Sequence, residues 1–173
     1  MACIVADTSA LVSLGVVVED ESASLSRLTN HHGLVVPERV IDELEETAAY
    51  EDHSGAAAQA VLARRSELDV RASTLDETFP LDNGENAAVT LANQIHATQF
   101  LCDEFNQLAL IHASLADTRL LTTPILLVTL VRGGTLAPEA AIELLERMSE
   151  ARSWDENTYV ERARSTLQHE LGE

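Results

Sequence analysis

Two patterns of hydrophobic and polar positions alternate along the chain. A continuous apolar run occurs at residues 2–6, and shorter, largely apolar strand candidates occur at 34–36, 99–102 and 119–121, with a weaker candidate at 68–71. Runs of this kind are typical of strands that are buried on both faces of a parallel sheet. Helical spacing fills the segments between them and predicts helices at residues 9–18, 24–30, 37–50, 55–66, 82–96, 103–116, 124–131, 138–149 and 155–171. The alternation predicts an α/β fold with a parallel sheet and right-handed crossovers.

The pattern predicts one domain over residues 1–150, followed by a C-terminal amphipathic helix within residues 151–173. The apolar side of that helix is expected to pack on the same domain or on a partner; it carries Val160, Ala163, Leu167 and Leu171. The most apolar stretch, residues 120–131, is too short to span a bilayer. Because nothing near Met1 is similar to a secretory signal, we expect a cytoplasmic protein without a membrane partner.

Charge is the most unusual feature of the composition. The chain has 29 acidic and 11 basic residues, a net charge of −18, and every basic residue is an arginine. An excess of acid spread over the whole chain is typical of adaptation to molar salt, where charge repulsion is screened within roughly 3 Å. We therefore expect a halophilic source, such as a halophilic archaeon. With acids this frequent, only the position of a carboxylate can identify it as functional.

Two aspartates come directly after predicted strands. Asp7 follows the first strand and Asp103 follows the fourth. Ligands of open parallel sheets bind beyond the carboxyl ends of the strands where the strand order reverses, so these two acids would share one crevice if their strands are neighbours. The simpler interpretation is that each aspartate caps the helix that follows it.

Two glutamates are further candidates. Glu85 opens a helix and also fits a capping box in which Asp82 is the cap. On the helix that follows Pro37, Glu43 and Glu45 lie on the two flanks of the apolar face, and geometry does not choose between them. Four carboxylates that converge without lysine would repel one another and would need a cation. Hard oxygen ligands favour Mg²⁺ or Mn²⁺, ions that activate water and stabilise phosphodiester cleavage.

Four short blocks carry a family resemblance. They are Ile4–Leu11, Val36–Leu44, Gly84–Ala88 and Phe100–Glu104, and their order and spacing resemble those of PIN-domain nucleases over roughly residues 2–148. Residues 122–126 and 133–136 are also similar to the closing part of one prokaryotic subgroup. That subgroup usually carries a basic residue a few positions after the last acidic pair, whereas this chain has none at residues 105–108.

The resemblance implies a three-layer α/β/α PIN-like fold with a five-stranded parallel sheet. It implies a ribonuclease that uses Mg²⁺ or Mn²⁺, is often the toxin of a toxin–antitoxin pair, and acts as a homodimer with an antitoxin protein as partner. The implied catalytic and metal-binding acids are listed together: Asp7, Glu43, Glu85 and Asp103, with Glu104 as an additional metal ligand. The resemblance thus favours Glu43 over Glu45. Thr8 or Ser9 would support the first acid.

Other functions find less support in the sequence. Aspartyl-phosphate receivers need a lysine near the last strand, and haloacid-dehalogenase-type phosphatases need a second aspartate at the position of Ser9. A PIN-like interaction module with little or no catalysis remains the alternative to a nuclease. The thiols Cys3 and Cys102 lie in apolar runs and are expected to be reduced, with Cys102 as a core residue of its strand.

Overall fold

The computed structural model describes residues 3–172. It contains one sheet of five parallel strands, which are β1 (Cys3–Ala6), β2 (Gly33–Pro37), β3 (Asp69–Arg71), β4 (Gln99–Leu101) and β5 (Arg119–Leu121). The strand order is β3-β2-β1-β4-β5. Ala2, the first residue of the predicted strand 2–6, lies outside the described residues. The predicted α/β fold with a five-stranded parallel sheet is confirmed.

Helices flank this sheet. They are α1 (Thr8–Gly15), α2 (Leu25–Leu28), α3 (Glu38–Ala48), α4 (His53–Leu62), α5 (Asn83–Gln94), α6 (Leu108–Ser114), α7 (Thr123–Arg132), α8 (Pro138–Arg152) and α9 (Thr158–Leu171). Short 3₁₀ turns occur at Glu21–Ala23 and Arg65–Glu67. Between residues 3 and 172, no helix is long and apolar enough to cross a membrane.

The core lies between the central strands and the helices that cover them. Val5 and Phe100, which are paired in register on β1 and β4, are both fully buried. Helix α5 packs against β1 and β2, while α1, α3 and α4 pack against one another. Burial of these apolar side chains removes them from water and is the main stabilising contribution to the fold.

The C-terminal helix α9 packs against α7 and α8. It buries Val160, Ala163 and Leu167 and leaves Leu171 exposed at 45%. Asn157 caps α9 by accepting hydrogen bonds from the backbone N–H groups of Tyr159 and Val160 at 3.0 and 3.2 Å. This cap explains why the helix begins at residue 158 and not at the predicted residue 155.

The predicted helix 103–116 is wrong at its start, because α6 begins only at Leu108. Residues 102–107 form an irregular turn in which the N–H of Gln107 donates to the carbonyl of Glu104 at 2.9 Å. The Asp103 carboxylate does not cap α6 but accepts a hydrogen bond from a different helix. Pro37 also differs from its prediction, since it ends β2 and precedes the first residue of α3.

Candidate active site

The strand order reverses at β1, and the carboxyl ends of β1 and β4 lie side by side there. Ala6 pairs with Leu101, and the N–H of Asp7 donates to the Leu101 carbonyl at 3.1 Å. Asp7 and Asp103 therefore follow neighbouring strands at the topological switch point. This edge of an open parallel sheet is where ligands bind.

Asp7 is buried, and three groups hold its carboxylate. Its Oδ1 accepts hydrogen bonds from the Ala10 N–H at 3.0 Å and from the Ser9 hydroxyl at 2.7 Å, and its Oδ2 accepts one from the Cys102 thiol at 3.0 Å. The bond from Ala10 makes Asp7 the N-cap of α1, as the simpler interpretation of the sequence proposed. The contacts from Ser9 and Cys102 exceed what a cap requires, and they fix the orientation of the carboxylate.

Burial makes Asp7 difficult to ionise. Loss of hydration raises its pKa to about 7; the hydrogen bonds from Cys102, Ala10 and Ser9 oppose this rise, and the charge of Asp103 adds to it. A buried carboxylate with so high a pKa lacks a compensating positive charge.

Ser9 connects the two aspartates. Its hydroxyl donates to Asp7 and accepts a hydrogen bond from the Asp103 N–H at 2.9 Å. The Asp103 carboxylate is buried too, and its Oδ1 accepts from the Thr123 N–H, the first of α7, at 2.7 Å. Its Oδ2 is buried without a hydrogen-bond partner among residues 3–172. Burial raises the pKa of Asp103 as well.

Glu43 reaches the site from α3, on the flank that faces α5. A Cβ atom at Gly84 would overlap the Glu43 carboxylate, so the missing side chain at Gly84 leaves the space that Glu43 occupies. Glu43 Oε1 is buried and has no hydrogen-bond partner in the described part of the chain. Loss of hydration, followed by the charge of Asp82, raises the pKa of Glu43; the nearby Thr8 hydroxyl lowers it. Glu45 instead is 59% exposed, 3.9 Å from Arg65.

Glu85 lies in the first turn of α5. Its N–H donates to the Asp82 carboxylate at 2.9 Å, which confirms Asp82 as the helix cap. The Glu85 side chain is only 9% exposed. Burial raises its pKa to about 7, and the charges of Asp82, Glu104 and Asp7 add to this effect. Glu85 therefore faces the same acidic cluster as Asp7.

Glu104 and Thr8 complete the surroundings of the cluster. The pKa of the half-buried Glu104 is raised mainly by burial, while the positive charge of Arg152 opposes the rise. The Thr8 hydroxyl is buried without a hydrogen-bond partner within residues 3–172. The structure thus brings the five sequence-selected acids to one edge of the sheet, with Ser9 contacting two of them and Thr8 lying near Glu43.

Three groups at this edge are not among the residues selected from the sequence. Cys102 was expected to be a core residue of its strand; it is buried just after β4 and donates to Asp7. Thr123 binds Asp103 through its backbone N–H, and Arg152 lowers the pKa of both Asp103 and Glu104. The Thr123 contact uses a backbone N–H, which no side-chain pattern in the sequence can reveal. Arg152 is distant in sequence from the acids it affects. Of these three groups, only Cys102 could have been connected with the site from the sequence, because it directly precedes Asp103.

The donor set fits a hard divalent cation in its chemistry. Asp7, Glu85, Asp103 and Glu104 interact through their charges, and Glu43 lies beside Gly84 and the Thr8 hydroxyl at the edge of this group. Two buried oxygens, Glu43 Oε1 and Asp103 Oδ2, make no direct hydrogen bond within the described range. Such oxygens are costly to bury unless a cation or water binds them. Within residues 3–172, however, no three His, Cys, Asp or Glu side chains are already arranged to hold a metal together. Metal binding would therefore require rearrangement of these side chains or bridging water.

Comparison with known families agrees with the fold and the position of this site. A family model described as a PIN domain matches residues 3–169. No curated protein sequence matches the chain. PIN domains are generally nucleases. Since this family model matches nearly the whole chain, including all five acids of the candidate site, the protein belongs to the PIN domain family.

Proposed function

We propose that this protein is a metal-dependent endoribonuclease whose site is formed by Asp7, Glu43, Glu85 and Asp103, with Glu104 at its edge. One observation carries the proposal. Buried carboxylates meet at the switch point of the sheet, and burial raises the pKa of Asp7 and Glu85 to about 7. Natural proteins rarely bury such charges unpaired, and a divalent cation would remove the cost.

Carboxylate oxygens favour Mg²⁺ or Mn²⁺ as this cation. Asp7 and Asp103 would hold it from the two strand ends, Glu85 from α5 and Glu43 from α3. When bound, such an ion lowers the pKa of water and neutralises charge on the phosphate oxygens.

The protein side chains would orient the carboxylates and the attacking water. Ser9, Cys102 and the Ala10 N–H keep Asp7 in one orientation. Glu85 would orient the attacking water from the first turn of α5, and that water would release its proton to solvent. The water oxygen forms a bond to phosphorus, the bond from phosphorus to the 3′ oxygen breaks, and that oxygen takes a proton from solvent. The products are 5′-phosphate and 3′-hydroxyl ends.

The biological setting belongs to the same proposal. We propose a toxin of a toxin–antitoxin pair that forms a homodimer and is inhibited by an antitoxin protein. The net charge of −18 and the absence of lysine support a halophilic source. In concentrated salt, phosphate contacts contribute less to RNA affinity, so binding would depend more on the metal and on shape.

The second candidate is a PIN-like interaction module without catalysis. It is favoured by the finding that, within residues 3–172, no three acidic, histidine or cysteine side chains are arranged to hold a metal in common. Metal binding distinguishes the two candidates, because a module that only binds proteins would have no use for the buried carboxylates.

The test is RNA cleavage in concentrated KCl, with Mn²⁺ or with EDTA, by the wild type and by Asp7→Asn. Asparagine also caps helices, so this variant keeps the start of α1 and removes one charge from the site. We expect cleavage only with Mn²⁺, and at least about a hundredfold loss of kcat in Asp7→Asn.

Asp52→Asn is the matched control. Asp52 caps α4 through the Gly55 N–H at 2.8 Å and is exposed, so its loss of charge should leave cleavage unchanged. Calorimetric titration with Mn²⁺ completes the experiment. If the wild type neither cleaves a broad panel of RNAs nor binds Mn²⁺, the proposed nuclease function is wrong and the interaction module is favoured.

A further inference from the structure

One arginine lies beside the acidic cluster although its sequence position gives no hint of it. Arg152 is the last residue of α8 and is half-buried. One terminal nitrogen of its guanidinium donates to the Ser54 hydroxyl at 3.4 Å. Its Nε is buried without a hydrogen-bond partner within the described residues. The Ser54 contact holds the guanidinium in place, and because Arg152 is only half-buried, part of its side chain remains accessible to a ligand.

Aromatic contacts attach this end of α8 to the turn that carries the last two acids. The Trp154 ring lies 5.3 Å from the Phe105 ring in an edge-to-face arrangement, and Phe105 stacks on Tyr159 at 5.5 Å. Phe105 directly follows Glu104, and Trp154 is two residues after Arg152. The contacts place Arg152 on the Glu104 side of the site. Consistently, its charge lowers the pKa of both Asp103 and Glu104.

Arg152 differs from the arginines that are neutralised by ion pairs. Within residues 3–172, the arginines within 4.0 Å of a carboxylate are Arg65, Arg71, Arg132, Arg147 and Arg164. Arg152 has no carboxylate that close in this range, although it lies near a cluster of acids. Among the described residues it shares this lack of a direct ion pair with five other arginines, which are Arg27, Arg39, Arg64, Arg119 and Arg162. Of these six, Arg39 lowers the pKa of Glu43, and Arg152 lowers the pKa of both Asp103 and Glu104.

We propose that Arg152 is a substrate-contacting residue that binds a phosphate of the RNA next to the cleaved bond. The inference rests on the proposed nuclease function. Residues 105–108 contain no basic residue, and an acidic site would otherwise repel the phosphate. A guanidinium presents paired donors that match phosphate geometry and keeps its charge at any working pH. Arg152 supplies a positive charge on the Glu104 side of an otherwise acidic site.

The test is the salt dependence of RNA binding. A short fluorescein-labelled single-stranded RNA is titrated by fluorescence anisotropy at several KCl concentrations, with Ca²⁺ present to limit cleavage. In Arg152→Gln we expect affinity to fall about tenfold. We also expect the slope of log K against log salt to become shallower by about 0.7, the amount for one phosphate contact on single-stranded RNA.

Two variants separate contact from general electrostatics. Arg132→Gln removes the same charge from the far end of α7, where Arg132 pairs with Glu170 at 2.9 Å, and should leave affinity and slope near the wild-type values. Arg152→Lys keeps a point charge and should retain the slope with intermediate affinity. A merely structural role of Arg152 would change urea stability but not the salt slope.

The outcomes are distinct for the two proposals. If Arg152→Gln and the wild type show equal slopes of log K against log salt while cleavage is intact, the proposed role of Arg152 is wrong. The proposed nuclease function is then unaffected. A wild type that neither binds nor cleaves RNA overturns both. A shallower slope in Arg152→Gln alone supports the phosphate contact.

Discussion

Burial, not acidity, distinguishes the site at the scale of single residues. Among the described aspartates and glutamates, burial raises the pKa of the following residues: Asp7, Glu43, Glu85, Asp103 and Glu104. The more accessible acids Asp20, Asp69 and Asp76 have lowered pKa values because hydrogen bonds stabilise their charged forms. In a chain with 29 acids, this difference in surroundings sets apart the cluster that we propose as the site.

Glu43 and Glu45 offer a matched comparison on one helix. In Glu43→Gln, we expect a loss of about a hundredfold in metal-dependent cleavage, because a charged ligand becomes a neutral amide of the same shape. Unfolding in urea should show unchanged or slightly higher stability, since a buried charge is removed. Glu45→Gln should change neither quantity, as Glu45 is exposed on the opposite flank of α3.

Kinetics across a range of Mn²⁺ concentrations checks this prediction. A weaker metal affinity in Glu43→Gln, with partial recovery at high Mn²⁺, is the pattern expected for a lost ligand. Equal activity of Glu43→Gln and Glu45→Gln would exclude Glu43 from the site.

The sequence predicts the acids of this site better than their partners. Asp7 and Asp103 follow from the rule that ligands bind beyond strand ends. Helical periodicity gives only the angle of a residue around its axis, so it could not separate Glu43 from Glu45. Partners such as Cys102 and Arg152 come from segments far from Asp7 in sequence, and only the tertiary fold reveals which acids they meet.

At the scale of elements, the site depends on how closely α3 approaches the start of α5. Gly84 permits this approach, because any Cβ there would overlap the Glu43 carboxylate. The overlap involves the end of a flexible side chain, so Gly84→Ala should displace Glu43 and leave the backbone in place. We expect cleavage to fall about tenfold or more, while alanine compensates in stability through its higher helix propensity, about 1 kcal/mol better than glycine.

Gly33→Ala is the control for this variant. A Cβ at Gly33, the first residue of β2, would meet nothing within 4 Å, so activity should be retained. Urea unfolding and cleavage kinetics of both variants are the measurements. Full activity in Gly84→Ala would show that the position of Glu43 is not critical.

Element types follow from the sequence more closely than element ends. Each of the five strands lies at a predicted strand segment. The apolar signal is strong for the buried central strand β1 and weak for the edge strand β3, whose sequence Asp-Val-Arg is largely exposed. The ends are set by capping contacts that a single sequence does not reveal. Asp103 binds the Thr123 N–H and so cannot cap α6, while Asn157 delays the start of α9.

At the scale of the whole molecule, acidic charge couples stability to pH and to metal. Asp7 and Glu85 have pKa values near 7 in the folded chain, above the values of about 4 expected when unfolded. Between those values the folded state binds more protons, so the stabilising contribution of the two groups is full below about pH 4, falls as the pH rises, and is lost above about pH 7. The lowered pKa values of Asp20, Asp69 and Asp76 act only below about pH 4, outside this range.

The final prediction therefore concerns the metal-free protein in EDTA. From pH 5 to pH 8, its free energy of unfolding should fall by roughly 2–5 kcal/mol from Asp7 and Glu85 together. Mn²⁺ should restore stability more at pH 8 than at pH 5, because it binds the ionised carboxylates. Urea titrations at each pH, in constant KCl, measure both effects.

In Glu85→Gln the pH dependence of the free energy of unfolding should be weaker by up to one proton, whereas Glu45→Gln should match the wild type. A Glu85→Gln chain with an unchanged pH dependence would contradict the burial of this carboxylate, and an equal Mn²⁺ effect at both pH values would contradict binding through ionised acids.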